Sequence, residues 1–211
     1  MEVYFQVITE GEALREACEK LVKFESLGFD TETTDLDPFA GNIRLVQLSN
    51  GVETQVIDLK PFREKGDLRT LPELAPLRDL LGNPNVEKVA HNAKFDGKWV
   101  KQHLGVSVGG FFDTMLASQL ISAGDQDRRH SLVEVAAYFL GQELDKSQQV
   151  SDWSANELSQ SQIEYAARDA ATMLPLRDKI WERLKTDELD RVAKIENECV
   201  TPVAVMEQNG F

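Results

Sequence analysis

Only two cysteines occur in the 211 residues, Cys18 and Cys199, and neither belongs to a CxxC or a Cys/His cluster. This excludes a disulfide framework and a thiolate zinc site, and leaves two free thiols in a reducing compartment as the expectation. Histidine is nearly as scarce. His91, His103 and His130 are the only three, and none has ligand spacing. No apolar run reaches the roughly 20 residues needed to cross a bilayer. The opening MEVYFQVITEGEAL lacks the basic-then-apolar order of a secretory leader. A soluble, cytoplasmic chain with no membrane partner is therefore expected. Positive charge is also short: 23 Lys and Arg stand against 36 Asp and Glu, for a net charge of −13. Broad affinity for nucleic acid rests on Lys and Arg meeting phosphates, so charge alone argues against it. Two readings stay open at this point. The chain binds no nucleic acid, or it binds locally at a cleft whose charge is set by cations.

What is present suits one domain with a sizeable core: 42% hydrophobic and 28% charged residues, with 13 Gly and 7 Pro. There is no internal repeat and no low-complexity segment. Val3 to Ile8 reads as a first strand. EGEALREACEKLVKF has helical spacing, with Leu14, Cys18, Leu21 and Val22 on one face. LGFDTET, NIRLVQLS and ETQVIDL read as strands, the last two joined by a turn at Asn50 and Gly51. A linker and a short helix ending at Gly82 follow, then a fifth strand in VEKVAHN. Asn92 is placed to cap a helix running AKFDGKWVKQH. Beyond GGFFDTM the pattern is wholly helical, near Thr114 to Ser122, Ser131 to Leu140 and Asn156 to Lys185. Pro175 is expected to kink or break the third of these. A last helix starts near Asp190. The order gives an α/β domain with a mixed sheet of about five strands flanked by helices.

Acidic residues recur in an ordered set. Asp30 and Glu32 are two apart on a strand, so both carboxylates project from one face while Leu27 and Phe29 project from the other. Any chain with 36 acids shows such triplets by chance. Here the strand is mostly apolar, and adjacent like charges on it are costly without a neutralising cation. Asp96 lies four residues after Asn92, early in a helix, where a carboxylate also suits the helix dipole. Tyr165 and Asp169 lie one turn apart on a late helix, amid the small residues Ala166, Ala167, Ala170 and Ala171, which let a helix approach a sheet closely. The ordinary reading of this pair is a core tyrosine and a solvated acid. Together the acids make an oxygen-rich set that suits hard cations such as Mg²⁺ or Mn²⁺ rather than zinc, with charge enough for two.

At these residues the chain resembles the DEDD family of 3′–5′ exonucleases, which have a ribonuclease H-like fold. FDTETTDL is similar to its first motif, HNAKFD to its second and YAARDA to its third, and Tyr165 places the likeness in the Tyr branch. The likeness runs from the first strand to about Lys185. The tail ENECVTPVAVMEQNGF resembles the helix leading from the proofreading domain of family A DNA polymerases into the polymerase domain. It implies an exonuclease domain over 1–187 and, over 188–211, a helix resembling the lead-in to a polymerase domain; a family A polymerase domain in the full-length chain and a stand-alone exonuclease both stay open.

The resemblance also implies roles. Asp30, Glu32 and Asp169 would hold a first divalent cation, Asp30 would bridge to a second supported by Asp96, and Tyr165 would orient the attacking water. Thr31 would offer its backbone N–H to the terminal 3′ hydroxyl, Leu36 would wedge against the end bases, and Asn92 would contact substrate or hold the second motif. For Leu36 the ordinary reading is core. The implied partner is the 3′ end of single-stranded DNA. Lys94, Lys98, Lys101, Arg128, Arg129 and His130 are candidate phosphate contacts. Phe111, Phe112, Trp99 and Trp153 could stack on bases but suit the core better. The alternatives are an RNA-trimming enzyme like ribonuclease D and an exonuclease fold kept as an inactive spacer. The presence of all four acids and the tyrosine argues against the spacer.

Overall fold

The computed structural model describes residues 3–123, 125, 127–145, 148 and 151–210. Met1, Glu2 and Phe211, at the outer limits of the two expected segments, lie outside the described residues, as do Lys146, Ser147, Gln149 and Val150 before the third motif. The elements follow in the order β1 (Tyr4–Ile8), α1 (Gly11–Leu21), β2 (Ser26–Thr33), β3 (Ile43–Ser49), β4 (Glu53–Asp58) and α2 (Lys60–Arg63). A 3₁₀ turn (Pro72–Leu74) leads into α3 (Ala75–Gly82), β5 (Glu87–Ala90) and α4 (Ala93–Leu104). Then come β6 (Phe111–Asp113), α5 (Thr114–Ile121), α6 (Leu132–Leu140), α7 (Gln160–Thr186) and α8 (Asp190–Gln208).

The strands form one sheet in the order β1-β4-β3-β2-β5-β6. β2, β3 and β4 are antiparallel neighbours, whereas β1 joins β4, β5 joins β2 and β6 joins β5 in parallel. The β3–β4 turn uses the expected residues. Asn50 Oδ1 accepts from the N–H groups of Val52 and Glu53 at 2.9 and 2.8 Å, and Gly51 takes φ +87°, where a side chain would be strained. One sheet face carries Leu27, Phe29, Val46 and Leu48 into the largest core cluster, with α1, α3 and α4. The other lies under α7. The last helix, α8, sends Val200 into the first cluster and Ala193 into the second.

The sheet has six strands, not about five. β6 has only three residues, too few to show a period, and its two phenylalanines serve opposite faces: Phe111 stacks toward Phe29 while Phe112 meets Trp181. α7 begins at Gln160 rather than Asn156. Ser159 and Gln162 form a reciprocal capping box there, and the Asn156 carbonyl is already taken by Arg44 and Lys60. Pro175 does not break α7, which spans 27 residues with the proline inside it. A proline inside a helix, through the lost hydrogen bond and the clash of its ring, costs about 3 kcal/mol. Met173 before the proline, and Leu176, Ile180 and Leu184 after it, are wholly buried in one cluster at about 1.5–3 kcal/mol each, which outweighs the loss.

The small face of α7 works as its composition suggests. A Cβ added at Gly28 of β2 would stand 2.1 Å from the Ala170 carbonyl oxygen, so helix and strand touch backbone to backbone. Thr54 of β4 donates to the Ala167 carbonyl at 3.3 Å alongside. Gly28→Ala must push α7 outward, and we expect a loss of about 1–3 kcal/mol, seen as a lower urea midpoint. An unchanged midpoint would show that the contact is looser than described.

Candidate nuclease active site

The carboxyl ends of β2 and β5 open into a cleft of about 900 Å³. The eight candidate catalytic, metal and end-binding residues line it: Asp30, Thr31, Glu32, Leu36, Asn92, Asp96, Tyr165 and Asp169. β2 supplies Asp30 and Glu32, α4 supplies Asp96, and α7 supplies Tyr165 and Asp169. Thr31 donates its hydroxyl to Asp96 Oδ1 at 2.6 Å, which joins the first motif to the second. Tyr165 hydrogen-bonds Asp169 one turn along α7.

Burial and crowding dominate the electrostatics. Asp30 is held well above the usual carboxylate range, first by burial, then by Asp96, Glu32 and Asp169, against one opposing backbone N–H from Thr31. Glu32 is raised by burial and then by Asp169 and Asp96. Burial pushes Asp96 up to about 7 despite the Thr31 hydroxyl, and Asp169 up to about 7 despite the Tyr165 hydrogen bond. The Tyr165 phenol is itself raised above its ordinary value, by burial first and Asp169 second. Four like charges in one pocket are thus kept from ionising together.

Asn92 holds the N-cap position of α4 in the left-handed region (φ 63°, ψ 47°), but its side chain makes no capping bond. Asp113, buried at the end of β6, does the capping instead. Its carboxylate accepts from the N–H groups of Asn92 and Ala93 at 3.1 and 2.8 Å, and also from Met115 and Leu116 at the start of α5. Asparagine tolerates the left-handed turn that aims both N–H groups at this carboxylate. Asp113 was missed in the sequence, although FFDT, an acid just before a helix, carries an N-cap signal.

Of the two readings of Leu36, the core one fails: the residue is 84% exposed. Its loop is set by Asp35, which accepts from Asp37 N, and by Asp37, which accepts from Phe39 N. Phe111, Phe112, Trp99 and Trp153 are all buried, and Trp153 also lines the cleft. Lys94 and Lys98 are not free for phosphate. Both pair with Glu207 of α8, at 2.6 and 3.0 Å. Arg128 lies over the Tyr138 ring at 3.8 Å, while Arg129 and His130 line the cleft. His91 fastens their loop. Burial lowers its pKa to about 4, so the ring is neutral, Nε2 donates to the His130 carbonyl at 2.9 Å, and Nδ1 lies 2.9 Å from Thr114 Oγ1, whose one proton also faces the Ala90 carbonyl at 3.1 Å.

A mixed six-stranded sheet between helices, with acids gathered at the carboxyl ends of its inner strands, is the ribonuclease H-like architecture of nucleases. The family model described as 3′–5′ exonuclease matches residues 5–185, and the chain belongs to that family. It is similar to DNA polymerase I of Aquifex aeolicus (strain VF5), 34% identical over 98% of this chain and 36% of that protein. It is also similar to ribonuclease D of Acidiphilium cryptum (strain JF-5), 33% identical over 89% of this chain and 45% of the relative. The chain thus spans between a third and a half of these relatives' length. Among solved structures, Brucella melitensis NrnC with bound Mg²⁺ is 25% identical, with a TM-score of 0.81 over 100% of this chain and 95% of that one. The same protein has been solved bound to pGG.

The raised carboxyl groups fix a pH dependence. In the unfolded chain aspartates ionise near 4, whereas folded Asp96 and Asp169 do so at about 7. Between these values the folded state binds more protons, so stability falls as pH rises from about 4 to about 7. Metal-free protein in EDTA is expected to melt at a lower temperature at pH 8 than at pH 5, with Asp96→Asn reducing the difference. A higher melting temperature at pH 8 would count against the buried cluster.

Proposed function

We propose that this chain removes nucleotides one at a time from the 3′ end of single-stranded or frayed DNA, as a proofreading exonuclease does. Asp30, Glu32, Asp96 and Asp169 would hold two divalent cations, Mg²⁺ or Mn²⁺. The observation that carries this reading is convergence: acids and a tyrosine from three distant segments line one cleft. The donor set is all carboxylate oxygen, which suits hard cations. None of the four acids pairs with Lys, Arg or His among the described residues. Among the described residues no group of three or more His, Cys, Asp or Glu side chains is already placed to hold a metal ion. Bound ions of this kind lower the pKa of a water and offset charge building on phosphate.

The chain's own residues supply placement. Tyr165, raised in pKa and bonded to Asp169, cannot serve as the base and orients the water. Leu36 projects from its loop against the end bases, Thr31 meets the terminal sugar and Asn92 sits beside the second motif. Arg129 and His130 meet backbone phosphate. The product is a nucleoside 5′-monophosphate. The polymerase likeness supports 1–187 as the exonuclease segment and α8, in 188–211, as a lead-in to a polymerase region. With net charge −13, capture of ends is weak, and unpairing a matched end costs a few kcal/mol. Frayed and mismatched ends are therefore favoured over blunt duplex. The ribonuclease D match favours a second reading, the same chemistry on RNA.

The deciding assay uses 5′-labelled single-stranded DNA, blunt duplex DNA, RNA of the same sequence and pGG, each with Mg²⁺, Mn²⁺ or EDTA. The expected result is a metal-dependent ladder shortening from the 3′ end of single-stranded DNA, reduced at least about 10³-fold in Asp30→Ala/Glu32→Ala. A ladder on RNA or pGG alone would move the substrate to the second reading. No cleavage by folded, metal-supplied protein would sink both. Tyr165→Phe is expected to lower kcat by about 10- to 100-fold, the scale of one hydrogen bond to a charged group. Wild-type kcat would remove Tyr165 from the chemistry.

A further inference from the structure

Gln47, in β3, is wholly buried, and both its side-chain oxygen and its nitrogen lack a hydrogen-bond partner. A buried amide left this way costs about 1–3 kcal/mol, and it wastes two donors and one acceptor. Such a group calls for an explanation in its surroundings. The β2–β3 register sets Gln47 directly opposite Asp30. Residues directly opposite in an antiparallel pair share a face, with Cβ atoms about 4.5–5.5 Å apart. A glutamine amide extends two carbons beyond its Cβ, so the Asp30 carboxylate falls within its span.

Asp30 shows the complementary deficit. It accepts one backbone N–H, from Thr31, and otherwise faces Asp96, Glu32 and Asp169. Donors without an acceptor thus stand across one strand pair from an acceptor short of donors. The other orphaned buried atoms do not share this placement. Gln55 Oε1 belongs to the residue opposite Leu48, whose side chain serves the far face of the sheet, Trp99 Nε1 lies in the core beneath that face, and Arg128 Nη2 belongs to the segment before α6, outside the sheet.

We infer that Gln47 is a positioning residue of the carboxylate site: its Nε2–H donates to Asp30, directly or through one water, and fixes the orientation of that carboxylate when a divalent cation is held. This rests on the reading of the four acids as a cation site. Hydrogen bonds that orient a ligating side chain are worth about 10- to 100-fold in metal affinity. Replacing Gln47 by an apolar group of similar volume removes the orphaned atoms, so it leaves the metal-free fold as stable as before or more so. Stability and cation affinity therefore move independently, which a purely structural role would not produce.

The experiment compares wild type, Gln47→Met, Gln47→Leu, Gln55→Met and Asp30→Ala in urea unfolding without metal and in calorimetric titration with Mg²⁺ and Mn²⁺. At least one Gln47 variant is expected to keep or raise the urea midpoint while its cation Kd rises tenfold or more, with Gln55→Met unchanged in Kd. Wild-type Kd in the Gln47 variants, with binding lost in Asp30→Ala, would overturn the role of Gln47 and leave the site reading standing. Wild-type Kd in Asp30→Ala would overturn the site reading and this inference together. Lower urea midpoints, or failure to fold, in both Gln47 variants would make Gln47 a packing residue and overturn the inference.

Discussion

One close approach sets the geometry on which the rest of the molecule depends. α7 rests on β2 at Gly28 and Ala170 with no side chain between the two backbones. Asp169 is the residue before Ala170, and Tyr165 lies one turn earlier. Asp30 is two residues beyond Gly28. The distance between the third motif and the first is therefore set by a glycine that takes no part in the site. The apolar burial along α7, continuing past Pro175, holds the helix against the sheet despite a proline and a pocket of like charges. Stability built into the helix is what permits instability at its active end.

That instability is electrostatic. Asp96 and Asp169 are buried, Asp30 and Glu32 are half-buried beside them, and desolvation outranks every hydrogen bond that reaches the four. A carboxylate cluster of this kind is a poor way to stabilise a fold and a good way to hold a cation. Several of the positive side chains nearby are committed elsewhere, Lys94 and Lys98 to Glu207 and Arg128 to the Tyr138 ring, while Arg129 lines the cleft. In the proposed function, the charge that meets a phosphate in the cleft comes largely from what the acids bind.

Motif residues were readable in the sequence because their spacing encodes a face. Two residues on a strand and four on a helix each put side chains together, so Asp30 with Glu32 and Tyr165 with Asp169 follow from periodicity. That the three segments converge is a tertiary fact that no local pattern contains, and it rested on resemblance until the fold was in hand. β6 escaped notice because three residues have no period. The cap of α4 was assigned to Asn92 because capping signals are read locally, whereas the carboxylate that serves it is 20 residues away in sequence on a neighbouring strand. Gln47 could not be flagged at all. A glutamine in an apolar strand reads as surface or edge, and its isolation becomes visible only when both faces of the sheet are covered.

Asp113 joins two helices whose first turns both border the cleft: α4, which carries Asp96, and α5, which carries Met115. One carboxylate serves four N–H groups, so opening either helix start weakens the anchor of the other. The two cleft walls thus form a single cooperative unit and breathe together rather than one at a time. Amide exchange at the starts of α4 and α5 would then report one shared opening free energy. A side chain outside the chemistry would set how often the mouth of the cleft loosens.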